Sequence, residues 1–372
     1  MNLSKNSSRI RTVAILLLGS LPASAQIAKD ATKYLGSISE GQTVRADFAS
    51  YWNHVAPETG GKWAAVEMQR DHMVWTGLDN VVGYARDHKI PWTLNSLLWG
   101  SAYPGWMANI AKDTLKAEIE EWFSLAGTRY PDADMVVVIN EPSVFHAPST
   151  IFLNALGGKG TTGYDGMINA FHLARQAFPK AKLILNDYFT IEYAKDHDTC
   201  VAMVKALLAA KAPIDGIGVQ AHEAHMRSVD TLRKYLDGLA ATGLPLHITE
   251  FDIPATNDQR QDSIMRAVFP LFWTHPRVAG VSYYGTTVGK TWRDGTGLIR
   301  TDGTERPALV WLKEYVKNNP NPPGPSPLST VKVSKNRDPA RPSLALRLLD
   351  GHLSVGVERN GRFKVLEGHG SR

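Results

Sequence analysis

A single cysteine, Cys200, stands in the 372-residue chain. One thiol cannot close an intramolecular disulfide, so no covalent framework holds this fold, and Cys200 is expected to fill space on a helix rather than to attack a substrate. Long apolar runs are equally scarce. The N-terminal run Val13 to Leu21 is nine residues, too short for a hydrocarbon core of ~30 Å, and no other segment is long and apolar enough to try. That run follows Lys5, Arg9 and Arg11 and precedes Ala23-Ser24-Ala25, the pattern of a cleavable export signal. Residues 1–25 are therefore read as a signal peptide, the mature chain as starting at Gln26, and the protein as secreted or periplasmic with no membrane span.

A concentrated basic surface is missing too. The net charge of +5 is carried at the two ends, by the three basic residues of the signal and by nine Lys/Arg against four Asp/Glu from Ser326 onward, which leaves the region between slightly acidic. Such a body disfavours a phosphate backbone, so no nucleic-acid partner is expected. Histidines at metal-binding spacing are absent as well: His222-Glu223-Ala224-His225 lacks the i, i+4 pair, so no metal is expected. What the chain does have is apolar residues, 43% of the total, enough for a large packed core.

These apolar residues fall into a repeating strand-then-helix rhythm. Strands are expected at Tyr34–Ile38, Asn53–Pro57, Ile90–Trp99, Val136–Ile139, Lys182–Asn186, Ile214–Gln220, Leu244–Ile253 and Val278–Tyr284. Between them, apolar positions recur at helical spacing: Trp75, Leu78 and Val82; Leu115, Ile119, Trp122 and Phe123; Met167, Phe171, Ala174 and Phe178; Val201, Val204 and Leu208; Leu232, Leu236 and Leu239; Leu309, Leu312 and Val316. Eight such units in one domain, 26–318, point to an α/β fold of the (β/α)8 TIM-barrel type, although a doubly wound open sheet has the same rhythm. After it, Asn319-Pro320-Asn321-Pro322-Pro323-Gly324-Pro325 cannot continue a helix, so 319–327 is read as a Pro-rich linker. Residues 328–372 form a short basic extension with weak alternation around Leu353 to Val357, read as a tail rather than an independent domain.

Polar residues follow the predicted strands, and in a barrel that end of the sheet is where chemistry sits. They are Glu58, Lys62, Trp63, Asn95, Trp99, Asn140, Glu141, Asp187, Gln220, His222, Glu250, Asp252, Tyr284 and Trp292. Carbohydrate needs this mixture: aromatic planes for ring faces, amides and imidazoles for hydroxyls, and two carboxyls to break the bond. Glu141 and Glu250 each end a strongly apolar strand and are far apart along the chain, which a barrel rim would reconcile. Their other reading is a pair of structural carboxylates, and for Trp63, Trp99 and Trp292 it is ordinary packing.

The segments Asn140-Glu141-Pro142, Ile184-Leu185-Asn186-Asp187-Tyr188, Asp215 to His222 and Ile248 to Ile253 together resemble family-ten glycoside hydrolases, the secreted endo-β-1,4-xylanases. The likeness runs from about Tyr34 to Tyr315. It implies a retaining mechanism with Glu141 as acid/base and Glu250 as nucleophile. It further implies that Asn140 binds a sugar hydroxyl, that His222 orients or tunes Glu250 with Gln220 beside it, and that Glu58, Lys62, Trp99 and Trp292 line the glycone side of a cleft. It places Gly158 to Gly163, which matches a dinucleotide fingerprint in form, in the loop after the fourth strand, so no cofactor is expected. The implied partner is a polysaccharide or oligosaccharide, and the implied protein a monomer.

The chain departs from that family's pattern in three places. Thr59 replaces an Asn, Asn95 and Gly100 replace two His, and Tyr284 stands where a Trp is common. Lost donors change which sugar hydroxyls the pocket satisfies, at ~1–3 kcal/mol for each group left unpaired. Two alternatives therefore stand beside a xylanase: the same machinery on another β-glycoside, and a carbohydrate-binding protein that does not turn over.

Overall fold

Strands buried on both faces need cover on both, and a helix laid back over the sheet after each strand supplies it. Every residue of Met135–Asn140 is buried, and the same holds for Val278–Tyr283. The computed structural model describes residues 26–143 and 149–325 and three strands within 343–365. The signal peptide 1–25 and linker positions 326–327 lie outside the described residues. The chain divides into two units, Met1–Thr330 and Val331–Arg372.

In the first unit the strands are β1 (Tyr34–Ile38), β2 (Val55–Ala56), β3 (Thr93–Trp99), β4 (Met135–Asn140), β5 (Lys182–Asp187), β6 (Gly216–Val219), β7 (Leu246–Phe251) and β8 (Val278–Tyr283). They form one sheet in the order β2-β1-β8-β7-β6-β5-β4-β3, with every pair parallel. A parallel bridge from Val55 to Trp92 joins the two ends. The sheet is therefore a nearly closed (β/α)8 barrel, not the open alternative. The eight predicted strands all occur, the second reduced to two residues.

The helices are α1 (Trp63–Val66), α2 (Thr76–His88), α3 (Lys112–Arg129), α4 (Ser149–Ala155), α5 (Asp165–Ala177), α6 (Ala194–Ala209), α7 (Val229–Ala240), α8 (Asp258–Thr274) and α9 (Pro307–Asn318). The predicted stripes of α3, α5, α7 and α9 are buried as expected. On α6 the buried face is Cys200, Met203, Val204 and Leu207, so the stripe through Val201 and Leu208 is displaced by one position. Cys200 fills that face, and burial pushes its thiol well up. The sequence shows no clear stripe for α8. Its polar opening, Asp258-Gln259-Arg260-Gln261-Asp262, and an internal Pro270 mask a buried face built on Met265, Val268, Phe269 and Phe272. Asn257 caps it by accepting from the Arg260 amide at 2.9 Å.

The Pro-rich linker begins pinned to the barrel end that faces away from the strands' C-termini. Asn319 accepts from the Trp273 indole at 2.9 Å, and Pro320 and Pro322 accept from the Thr32 amide and hydroxyl just ahead of β1. The second unit holds β9 (Ser343–Leu349), β10 (His352–Arg359) and β11 (Arg362–Val365). They pair as an antiparallel meander in the order β11-β10-β9, with Leu349 opposite His352 and Arg359 opposite Arg362.

Candidate active site

Glu141 leaves β4 with φ of +54°. A side chain in this left-handed region costs of order 1 kcal/mol and persists only where neighbours fix it. Its amide donates to the carbonyl of Asn186 at 2.8 Å. The carboxylate is held from two sides, Oε2 by the Trp99 indole at 2.9 Å and Oε1 by the Gln220 amide at 2.8 Å. The registers of β3–β4 and β4–β5 both shift beside Val137–Ile139. Such irregularities re-aim a strand end, here the one carrying Glu141.

Glu250 ends β7 within the same network. Oε1 accepts from the Asn186 amide at 2.8 Å, and that amide also reaches Asn140 Oδ1 at 2.7 Å. Thr249 Oγ1 donates to Asn186 Oδ1 at 2.7 Å, which fixes the amide's orientation. Oε2 faces His222 Nε2 at 3.3 Å, while Nδ1 of the same ring lies 3.2 Å from Asp252 Oδ2. Asp252 accepts in turn from the Trp292 indole at 2.8 Å.

Electrostatics follow from these contacts. Burial works against ionisation of Glu250, but the His222 hydrogen bond and charge, the Lys62 ammonium and the Asn186 amide outweigh it and hold the carboxyl below its ordinary value. Burial likewise opposes charge on His222, and the two carboxylates overcome it, pushing the imidazole up to about 10. Burial brings Lys62 down to about 8 against the pull of Glu250, Glu141 and Glu58. An ionised carboxylate beside a cationic imidazole thus shares the cleft with a second carboxyl that accepts from an indole and an amide, a division of roles that two-carboxyl catalysis uses.

Both glutamates open onto one cleft of about 820 Å³, lined also by Glu58, Thr59, Lys62, Trp99, Gln220, His222, Tyr284 and Trp292. Glu58 is steadied by the Gly41 amide at 2.7 Å, the Lys62 ammonium lies 5.0 Å from the Trp99 ring centre, and Trp292 is half exposed at 52%. Two residues expected to bind substrate do not line it. Asn140 is buried against Asn186, and Asn95 is buried with its Oδ1 lacking a partner. Trp63 is a core residue: it stacks on Trp122 at 5.5 Å and donates to Glu67 at 2.6 Å.

The cleft includes residues the sequence reading did not single out: Phe189, Glu223 and the apolar wall of Ala64, Ala65 and Ala102. Asn186, which joins Glu141 to Glu250, was read only as part of a motif. The signal was there, since Asn186 ends an apolar strand as Asn140 does. The glycine-rich stretch is a loop between α4 and α5, its turn closed by Asp165 accepting from the Thr161 and Thr162 amides. Among the described residues, Glu67, Asp71 and Glu118 are close enough to share a cation, but Arg70 occupies Glu118 and Trp63 occupies Glu67. None of the three lines the cleft.

Residues 23–318 match the family model for glycosyl hydrolase family 10. Endo-1,4-beta-xylanase B of Cellvibrio japonicus is 38% identical over 283 residues, a match covering 76% of this chain and 45% of that protein, so the chain spans less than half of that relative's length. Endo-1,4-beta-xylanase B of Paenibacillus barcinonensis is 24% identical over 277 residues, covering 68% of this chain and 82% of that protein. Among solved structures, native xylanase 10B from Thermotoga maritima superposes with a TM-score of 0.68 at 22% identity, covering 79% of this chain and 97% of that one, which supports the barrel fold.

Proposed function

Because the chain belongs to glycosyl hydrolase family 10, we propose that it is a retaining endo-1,4-β-xylanase that cleaves xylan or xylo-oligosaccharides by double displacement. The observation that carries this reading is the pair of Glu141 and Glu250 lining one cleft, joined through Asn186 and given different electrostatic surroundings. In the first step a Glu250 oxygen attacks the anomeric carbon and the bond to the leaving sugar breaks, its oxygen taking the proton of Glu141. In the second, Glu141 removes a proton from water, which attacks the same carbon and releases Glu250. Two inversions return the original configuration. This geometry needs carboxyls ~5–5.5 Å apart, close enough to exclude an intervening water.

Around that pair, His222 with Asp252 and Trp292 keeps Glu250 ionised and aimed, Gln220 and Trp99 orient Glu141, and Glu58, Lys62, Tyr284 and Trp292 bind the sugar chain. A different β-glycoside as substrate is favoured by one observation, the wall of Ala64, Ala65 and Ala102 beside Thr59, which offers no side-chain donors.

Product analysis on defined xylo-oligosaccharides, with anomeric configuration followed by NMR, tests both readings. A β-configured first product from internal cleavage is expected, and inactivity on every xylan-derived substrate with turnover of another β-glycan would shift the assignment. Glu250→Ala should lose orders of magnitude in turnover and partly recover with azide, whereas a protein that only binds sugar has no turnover to lose. Export rests on the pattern of Lys5 to Ala25. N-terminal sequencing of secreted protein is expected to begin at Gln26.

A further inference from the structure

The dipeptide at the end of β5 reaches the carboxyl of Glu250 and the backbone of the segment that carries Glu141. Asn186 gives its side chain to Glu250 and its carbonyl to the Glu141 amide. Asp187 points the other way, is buried, and does not line the cleft. Its Oδ1 accepts from Ser143 Oγ at 3.1 Å and from the Tyr188 amide at 2.9 Å, while Oδ2 has no partner. Ser143 stands two residues after Glu141, across Pro142. The segment Glu141 to Ser143, which starts in a left-handed conformation, is thus tied to β5 at Glu141 by the Asn186 carbonyl and at Ser143 by the Asp187 side chain.

We propose that Asp187 is a positioning residue for Glu141, acting through Ser143 to hold the acid/base carboxyl at the angle from which it protonates the leaving sugar. The proposal rests on the reading of Glu141 as acid/base. Among the described residues, no Lys, Arg or His is hydrogen-bonded or ion-paired to Asp187, and an anion in such surroundings is unfavourable. Burial pushes the carboxyl up to about 8, with the charge of Glu141 adding to it. A neutral carboxyl holds Ser143 without placing a second negative charge beside the acid that must donate.

This role has a kinetic signature that general loss of structure lacks. Removing the tether misaims the proton donor, which hurts a substrate whose leaving group needs protonation and spares one whose leaving group does not. The experiment compares kcat/KM, which reports the first half-reaction, on xylotetraose and on 2,4-dinitrophenyl β-xylobioside. For Asp187→Ala the expected result is a loss of at least tenfold on xylotetraose and less than threefold on the activated glycoside. Ser143→Ala should show the same selectivity with a smaller loss, and it serves where Asp187→Ala fails to fold. Asp187→Asn, neutral and able to accept from Ser143 and the Tyr188 amide, should recover most of the loss. Equal losses on both substrates, no loss on either, or an Asp187→Asn variant as impaired as Asp187→Ala would overturn the proposal. A wild-type enzyme inactive on both β-xylosides would instead overturn the functional reading on which it rests.

Discussion

Replacing His222 with Gln removes a cation 3.3 Å from Glu250 Oε2 while keeping a hydrogen-bond donor of similar reach. At an effective dielectric of about 20, a unit charge at that distance is worth ~5 kcal/mol to the ionised carboxylate, a ceiling of ~3.5 pKa units. Lys62 and the Asn186 amide remain, and Gln still donates, so the realised change is smaller. Asp252, no longer screened by the imidazolium, pushes in the same direction. With Glu250 as the nucleophile proposed above, the acid limb of kcat/KM against pH, which reports an essential ionised group in the free enzyme, should therefore move to higher pH by ~1–2 units.

Stability should change in step. The imidazole's folded value of about 10 lies above its unfolded one, so its contribution is complete below ~6.5 and is lost as pH rises through about 10. Glu250 is depressed on folding, so its contribution is present above the ordinary carboxylate value and is lost as pH falls through the folded value. The variant's deficit in Tm should thus be largest between those windows and shrink at either end. An acid limb that stays in place, or moves to lower pH, would refute the assignment of His222 as the group that keeps Glu250 ionised.

Three further outcomes are expected. Gln220→Leu removes the 2.8 Å donor to Glu141 Oε1, a hydrogen bond worth ~0.5–1.5 kcal/mol, and should lower kcat/KM on xylotetraose by about two- to tenfold in steady-state assays. Thr59→Asn returns an amide to the cleft wall and should lower KM about fivefold, ~1 kcal/mol, for longer oligosaccharides more than for short aryl glycosides. Gly280→Ala places a Cβ against the buried Tyr34 ring, which is held by His247 Nδ1 at 3.1 Å. Overpacking of ~1–3 kcal/mol should lower Tm by ~3–8 °C in a thermal melt, with catalysis at 25 °C little affected.

Much of this site is legible in the sequence alone, because the strands that carry it are rich in apolar residues and end abruptly in polar ones. Val136–Ile139 before Asn140-Glu141, and Leu246–Thr249 before Glu250, mark the barrel rim in one dimension. What escaped depends on three-dimensional register. Asn186 joins the two glutamates only because β5 lies between β4 and β6 with a shift at Val137–Ile139. For Trp63 the sequence leaves cleft and packing both open, and the packing reading holds because α1 turns its ring toward Trp122. The strands of the C-terminal unit had a signal of their own: Asp350-Gly351 and Asn360-Gly361, two-residue dipeptides of the kind that join tight hairpins, fall between the paired ends.

The barrel's hoop of hydrogen bonds is thinnest between β2 and β3, where one bridge at Val55 and Trp92 stands in for a ladder. Glu58, Thr59 and Lys62 hang from the short side of that gap, whereas Glu141 and Glu250 belong to the unbroken run from β4 to β7. Breathing of the protein should concentrate at this zipper, so amide exchange there should outpace that of the strands bearing the reactive pair. Evolution or an engineer can then reshape the flank that carries Glu58, Thr59 and Lys62 while Glu141 and Glu250 keep their alignment.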